Sequence, residues 1–318
     1  MLLTARLVLL SLLAGYAVCV LRMHRRGRVR LRFDRQLVDH SGVFAPYNLL
    51  MYAFSEVKAQ PFIDRRRFPI MDIVQQEWKT LREEALCLLT EQHLRASTRH
   101  DDASFNSFFR QGWKRFYLKW YGDPLPSAAA LCPRSVALLE RVPMIRAAMF
   151  ALLPPGGHLN PHRDPFAGSL RYHLGLSTPN SDDCRIFVDG SMYAWRDGGD
   201  VVFDETYVHW AENTSEQTRV ILFADVDRPL RTRWMSAMNH RVGAFMGRIT
   251  ASPNTDTEAE KTGFINRLFA LSQRRKGAAH RFKVAFRSRH RRLYKACKYI
   301  GIVLLIWLIF LAPWPLLR

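Results

Sequence analysis

The chain has 318 residues, is 48% hydrophobic and carries a formal charge of +19. That length suits one domain of about 200–250 residues with extensions better than two full domains, and the charge calls for a negative partner, either nucleic acid or an anionic membrane. The five cysteines, Cys19, Cys87, Cys132, Cys184 and Cys297, are odd in number and form no CxxC pair. They argue against a disulfide framework or a zinc knuckle and fit a reducing compartment.

The two ends choose between the partners. Residues 1–21, MLLTARLVLLSLLAGYAVCVL, are apolar apart from Arg6, and RMHRRGRVRLR follows at once. Residues 299–317, YIGIVLLIWLIFLAPWPLL, form a second apolar run after HRFKVAFRSRHRRLYKACK. Either run suffices to cross about 30 Å of hydrocarbon as a helix, and Tyr16, Trp307 and Trp314 suit interfacial positions. A cleaved signal peptide carries its positive charge before the apolar run; here most follows it, so an uncleaved anchor is expected. Pro313 and Pro315 make the second run a poor core helix, leaving a span or a re-entrant or interfacial segment. Basic flanks stay in the cytoplasm, so both ends place residues 22–298 there. The expected organisation is a transmembrane anchor over 1–21, a basic juxtamembrane segment over 22–41 and a folded domain over 42–250. A polar linker and basic amphipathic segment over 251–298 and a transmembrane segment over 299–317 complete it. Much of the charge is then attracted to anionic lipid. No nucleic-acid reading motif accompanies it, and no nucleic acid is expected as a partner.

In FPIMDIVQQEWKTLREEALCLL, residues 68–89, Ile70, Ile73, Val74, Trp78, Leu81, Ala85, Leu88 and Leu89 recur at helical spacing, which predicts an amphipathic helix. SFFRQGWKRFYLKWYG, residues 107–122, is dense in aromatics and breaks at Gly122-Asp123-Pro124. Residues 134–142 predict a short helix ended by Pro143. From 145 to 228 the runs AAMFALL, SLRYHLGLS, CRIFVD, DVVFDE and TRVILFADV alternate with the turns PPGG, TPNSDD, DGS and RDGGD. Strands at this spacing predict an antiparallel sandwich or small barrel. ASPNTDTEAEKTG, residues 251–263, reads as the polar linker.

The candidate chemistry begins at NPHRDPF, residues 160–166. His162 and Asp164 alone make either a hydrogen-bonded turn or half of a metal site. His209, in DETYVHWAE and expected at the end of a later strand, would complete a face of two histidines and one carboxylate. That face suits non-haem Fe(II) and leaves three positions open for a bidentate cosubstrate and oxygen. Arg219 shares a strand face with Ile221 and Phe223. An arginine on an apolar face needs an anion, which a dicarboxylate cosubstrate would supply through a bidentate pair. On SLRYHLGLS, Leu170, Tyr172, Leu174 and Leu176 take one face and Arg171, His173 and Gly175 the other. The second face is either a further carboxylate site or exposed to solvent.

In order along the chain, GWKRFYL, PHRDP, LRYHLGL, FDETYVHWAEN and TRVILFADVDRP resemble the aspartyl/asparaginyl β-hydroxylase family over about residues 105–230. The resemblance implies Fe(II), 2-oxoglutarate and O2 chemistry. It also implies a mainly β fold: a double-stranded β-helix (a jelly roll, cupin-like) with flanking helices, to which the two ends add a transmembrane helix each. By the same resemblance His162 and His209 are iron ligands, with Asp164 completing a triad that peptide-hydroxylating members can lack. Arg219 would hold the distal carboxylate of 2-oxoglutarate, Arg171 and His173 would contact the cosubstrate, and Trp113 would lie in the site wall. Ala151 stands where those members use a serine on 2-oxoglutarate, so another group would have to replace that contact.

Within the family, FFRQGWKRFYLKWYGDPLPSAAALCP and LLPPGG…NPHRDPFAGSLRYHLGL are similar to the bacterial lipid A acyl-chain hydroxylases. This implies hydroxylation at carbon 2 of a secondary acyl chain of lipid A or a lipopolysaccharide precursor, at the cytoplasmic face of the inner membrane, with membrane lipids as surroundings. Phe108, Phe109, Trp113, Phe116, Tyr117, Trp120 and Tyr121 then either line an acyl groove or pack an ordinary core. Two other readings stay open: a membrane-tethered aspartyl/asparaginyl protein hydroxylase, and a membrane-bound jelly-roll module that binds without catalysis.

Overall fold

Ten antiparallel strands in two sheets organise the computed structural model, which describes residues 2–37, 40–91, 93, 102–272 and 289. Residues 16–269 form one compact unit, which holds the sheets and the site. In chain order the elements are α1 (Leu2–His24), α2 (Ala45–Ala53), β1 (Phe62–Ile63), α3 (Asp72–Gln76), α4 (Trp78–Thr90), α5 (Asn106–Phe109) and β2 (Lys114–Trp120). There follow α6 (Pro126–Leu131), α7 (Pro133–Glu140), β3 (Ile145–Leu153), β4 (His158–His162), β5 (Ser169–Ser177) and β6 (Cys184–Val188). β7 (Ser191–Ala194), β8 (Asp200–Phe203), β9 (His209–Asn213), β10 (Arg219–Asp227) and α8 (Arg233–Thr250) complete the series. The larger sheet runs β1-β8-β5-β10-β3-β2 and the smaller β4-β9-β6-β7. This is the jelly-roll-like core that the family resemblance implied; the strand spacing alone had predicted an antiparallel sandwich or small barrel. The mainly β expectation needs correction, because eight α-helices flank the strands among the described residues.

Side chains alternate across a strand, and the central strands use both faces. On one face Leu170, Tyr172, Leu174 and Leu176 of β5 join Phe150 and Leu152 of β3 and Val220, Leu222 and Ala224 of β10. They pack against Leu81, Ala85 and Leu88 of α4 and Leu138 and Leu139 of α7. On the other face Met149, Ala151, Ile221 and Phe223 meet Ile186, Val188 and Ala211 of the smaller sheet. Each such side chain contributes about 1.5–3 kcal/mol by leaving water. The helix expected over 68–89 is two, α3 and α4, separated at Glu77. Glu84, three residues after Leu81 and four before Leu88 on the buried face of α4, accepts through its carboxylate from the backbone N–H of Arg134 (3.1 Å) and Ser135 (2.8 Å) at the start of α7. A carboxylate is favourable at a helix N-terminus.

Residues 251–263 do not form a linker. Ser252, Asn254 and Glu258 are buried. Arg115, itself buried and paired with Asp102 at 2.9 Å, donates to Ser252 Oγ (2.6 Å) and the Pro253 carbonyl (3.2 Å). Asn254 accepts from the Tyr117 N–H (2.8 Å) and donates to the Tyr117 carbonyl (2.7 Å). The segment is polar because it satisfies a buried cation and a strand edge, groups that are costly to bury alone.

The basic segment after α1 is likewise only partly available to lipid. Arg26 donates to Asp204 (2.9 Å), which also accepts from Arg228 (2.8 Å), and the Asp204 side chain is wholly buried. Among the described residues α1 alone is long and apolar enough to cross a membrane by length and composition, with mean hydropathy 2.0 over Thr4–His24. The second expected span, 299–317, lies outside the described residues, as does most of the basic stretch before it.

Burial disfavours the Asp204 carboxylate, but Arg228 and then Arg26 outweigh it and hold its pKa well below the usual range. A depressed folded pKa gives stability that is fully present above the unfolded value, about 3.9, and is lost as pH falls through the folded one. Melting temperature is therefore expected to fall steeply below about pH 4. Asp204→Asn should be less stable at pH 7 and show a flatter acid limb. An unchanged limb by calorimetry would remove Asp204 as a source of that dependence.

Candidate metal centre and cosubstrate pocket

His162, the last residue of β4, pairs across the smaller sheet with His209. His209 opens β9; it does not end a strand, as the sequence reading expected. The β4–β9 register shifts between Leu159 and His162. Asp164 lies just beyond β4, its N–H donating to the Glu205 carbonyl at 3.0 Å. One ligand atom each from His162, Asp164 and His209 falls within 4.8 Å of the others. The His162 Nδ1 lies 2.7 Å from the Asn160 carbonyl, and the His209 Nδ1 lies 3.0 Å from that of Tyr207. A carbonyl fixes Nδ1 as the protonated nitrogen and leaves Nε2 as the ligand, the usual outer support of a metal-binding imidazole.

Arg171 faces neither solvent nor an empty carboxylate site. Its Nη2 donates to Asp164 at 2.9 Å and to Glu205, its Nε donates to Asp225 at 2.8 Å, and its guanidinium lies 3.8 Å from the centre of the Phe223 ring. Burial opposes the Asp164 carboxylate, yet Arg171, followed by His209 and His162, lowers its pKa below the ordinary value. Burial raises that of Asp225 despite the same arginine. Three carboxylates thus surround one guanidinium, and a divalent cation at Asp164 would offset the excess. Burial, then His162, pushes His209 down to about 3, so its ring is neutral and able to ligate. Donor set, tautomers and charge all fit Fe(II).

Two polar groups on the same recess lack hydrogen-bond partners among the described residues. Neither ring nitrogen of His173 has one, although the ring is buried against Trp195, Phe203 and Phe223. Burial, then Arg171 and Arg219, lowers its pKa well below the usual value and keeps it neutral. Arg219 is 1% exposed, its Nε is unpartnered, and its guanidinium lies 4.4 Å from the Trp195 ring centre. Burial pulls its pKa down to about 10, still charged at neutral pH. Among the described residues no carboxylate pairs with it. A buried cation without a partner is unfavourable, and an incoming carboxylate removes that penalty. Arg219, Ile221 and Phe223 do share one face, and all three line the recess with His162, His173 and Trp113.

The aromatic cluster divides. Phe108 and Trp113 border the recess, Phe108 packing edge-on 4.9 Å from the His162 ring. Phe116 belongs to the core under the helices. Tyr117, Trp120 and Tyr121 spend their polar atoms on Asp102, Thr250 and Asp225. Ala151 is buried opposite Ile221 and offers no hydroxyl. Sequence reasoning missed Glu205, Asp225 and Trp195. Asp225 had a signal: it continues the Arg219-Ile221-Phe223 alternation and sits opposite Arg171 in register. Glu205 had one in its place within FDETYVHWAEN, but Trp195 sits next to the turn RDGGD and had none.

A jelly-roll core with two histidines and an aspartate on one side of a recess, and in it an arginine with no carboxylate partner among the described residues, offers a donor set for Fe(II) and a cation for an acidic cosubstrate. Residues 75–229 match the family described as Aspartyl/Asparaginyl beta-hydroxylase. The ornithine lipid ester-linked acyl 2-hydroxylase of Rhizobium tropici is 39% identical over 121 residues, 38% of this chain and 43% of that protein. The human aspartyl/asparaginyl beta-hydroxylase is 25% identical over 214 residues, 65% of this chain and 26% of its own length. The chain thus spans under half the length of either relative. A Pseudomonas putida prolyl-4-hydroxylase structure is 18% identical with a TM-score of 0.34, covering 58% of this chain and 100% of that one.

Proposed function

We propose that this protein hydroxylates carbon 2 of an acyl chain on a membrane lipid, using Fe(II), 2-oxoglutarate and O2, with its catalytic domain at the cytoplasmic face of the bacterial inner membrane. Lipid A or a lipopolysaccharide precursor is the first candidate substrate. The observation that carries the reading is the His162, Asp164 and His209 face on a recess that also holds His173 and Arg219, neither with a hydrogen-bond partner among the described residues. The apolar walls, the α1 helix and the similarity to the Rhizobium ornithine lipid acyl 2-hydroxylase support a lipid substrate, and that similarity also makes ornithine lipid a candidate.

In this reading His162 and His209 offer Nε2, and Asp164 offers the oxygen that Arg171 leaves free. Arg219 receives the distal carboxylate of 2-oxoglutarate, and the unsatisfied His173 ring faces the same cosubstrate. Bound Fe(II) with 2-oxoglutarate and O2 supplies the oxidising power for C–H hydroxylation, leaving succinate and CO2. Phe108, Trp113, Leu159 and Ile186 keep the recess apolar and limit water.

The test is mass spectrometry of total lipid from cells with the gene intact, deleted, and carrying His162→Ala. An acyl fragment heavier by one oxygen atom is expected only with the intact gene, and the lipid that carries it names the substrate. No lipid difference, with oxidised Asp or Asn in a protein digest instead, would replace this reading with the protein-hydroxylase one. The similarity to the human enzyme keeps that second reading in view.

A further inference from the structure

The segment that carries His162 and Asp164 is gripped by the end of the apolar N-terminal helix. Arg163, between the two, is 4% exposed. Its guanidinium donates to the carbonyls of Met23 (2.7 Å), His24 (3.3 Å) and Arg26 (3.0 Å). These close α1 and the turn after it, where a helix leaves carbonyls short of donors and presents the negative end of its dipole. A cation is the residue type that satisfies both.

The same turn is pinned twice more. Arg26 donates to Asp204 (2.9 Å) and Thr206 (2.7 Å), with its guanidinium 3.7 Å from the ring centre of Tyr52 and 3.9 Å from that of Tyr207. Asp189 Oδ1 accepts from the N–H groups of Arg28 (2.6 Å) and Val29 (2.8 Å). Every grip lies beside the candidate metal centre. Asp204 and Thr206 flank Glu205, which holds both Arg171 and the Asp164 backbone. Asp189 follows Val188, the partner of His209 in β6–β9 pairing. On the far side of the segment, Asn48 of α2 donates to the Pro165 carbonyl (2.8 Å) and accepts from the Ala167 N–H (2.9 Å). A passive tether needs none of these buried contacts, since arginines on a linker stay solvated.

We propose that the end of α1 is a working part of the metal centre, and that Arg163 is the positioning residue that joins them by fixing the backbone between His162 and Asp164. The proposal rests on the reading of His162, Asp164 and His209 as metal ligands. It makes metal affinity depend on the docked helix end: a loosened end lets the two ligands drift apart.

Co(II) titration of the full chain in detergent, followed by visible absorption, tests it. Arg163→Ala is expected to lower Co(II) affinity by roughly 10–100-fold, the usual effect of losing an outer support. Arg163→Lys should recover part of the loss, because an ammonium still reaches a carbonyl. Arg26→Gln should shift affinity in the same direction by a smaller factor. Hydrogen exchange in the metal-free chain should show residues 23–29 losing protection in Arg163→Ala. Leu139→Ala, in the core under the helices, controls for general destabilisation. Parent-like Co(II) affinity in Arg163→Ala overturns the proposal, as does an equal loss in Leu139→Ala at matched melting temperature. If Arg163→Ala does not fold, Arg26→Gln decides by the same criteria. A parent chain that binds no Co(II) overturns the metal-centre reading and this proposal with it. Parent-like binding in Arg163→Ala beside a parent that binds removes this proposal alone.

Discussion

His162→Ala is expected to remove hydroxylation below detection while leaving the fold intact. The His162 side chain is 17% exposed, and its hydrogen bond is to the carbonyl of an exposed residue, Asn160. Its removal therefore leaves no buried group unpaired, and the change in stability should stay within about 1 kcal/mol. Affinity for metal should fall by more than the roughly 100-fold that loss of an outer support can cost, because a ligand itself is gone and Asp164 and His209 alone no longer enclose one face. His158→Ala, at an exposed position on the same strand, should behave like the parent in both assays. Turnover by His162→Ala at the parental rate, with melting temperature and Co(II) affinity measured alongside, would remove His162 from the metal centre.

The parts of the fold that were legible are those where burial imposes a strong pattern. SLRYHLGLS and TRVILFADV become β5 and β10, because strands buried on both faces leave few polar residues to blur the period. β4, HLNPH, was not legible, because its residues are partly or fully exposed and a proline interrupts it. β7 and β9 are short, with partly exposed residues, and resemble turns. The face of Arg171 and His173 was ambiguous for a different reason: polar side chains look alike from sequence whether they meet water or each other. Arg171 is surrounded by carboxylates that come from three separate segments, and only the fold brings those together. The same holds for Arg115 with Asp102 and residues 252–254, and for Arg163 with the end of α1. A buried arginine draws polar partners from afar, and a linear reading assigns all of them to the surface. His162, Asp164, His209 and Arg219 were singled out by residue type rather than by pattern, and the fold places all four on one recess.

Arg219→Met is expected to make the metal-free chain more stable and the enzyme much worse at using 2-oxoglutarate. The two effects have one cause. Arg219 is 1% exposed beside Trp195, with no carboxylate partner among the described residues, and burial has already pulled its pKa down to about 10. Arg219 therefore carries the desolvation penalty of a buried cation, which in the proposed reading a cosubstrate carboxylate would relieve. A methionine of similar reach fills the volume without that penalty. Replacing buried ionic groups by packed apolar ones commonly stabilises by about 1–4 kcal/mol, so the melting temperature without cosubstrate should rise. With 2-oxoglutarate the sign reverses. Removing one partner of a desolvated charge pair costs about 2–5 kcal/mol, which at about 1.4 kcal/mol per tenfold raises the 2-oxoglutarate requirement roughly 30-fold to a few thousandfold. Thermal melts of the Co(II)-loaded chain should show 2-oxoglutarate stabilising the parent and not the variant, while Co(II) affinity stays parental. A variant that melts lower without cosubstrate would show that Arg219 has a partner in the folded chain. An unchanged 2-oxoglutarate dependence would assign the distal carboxylate to another residue, with His173 the first to replace. The pairing of gained stability with lost affinity separates a preorganised binding cation from a structural one, whose loss would lower both.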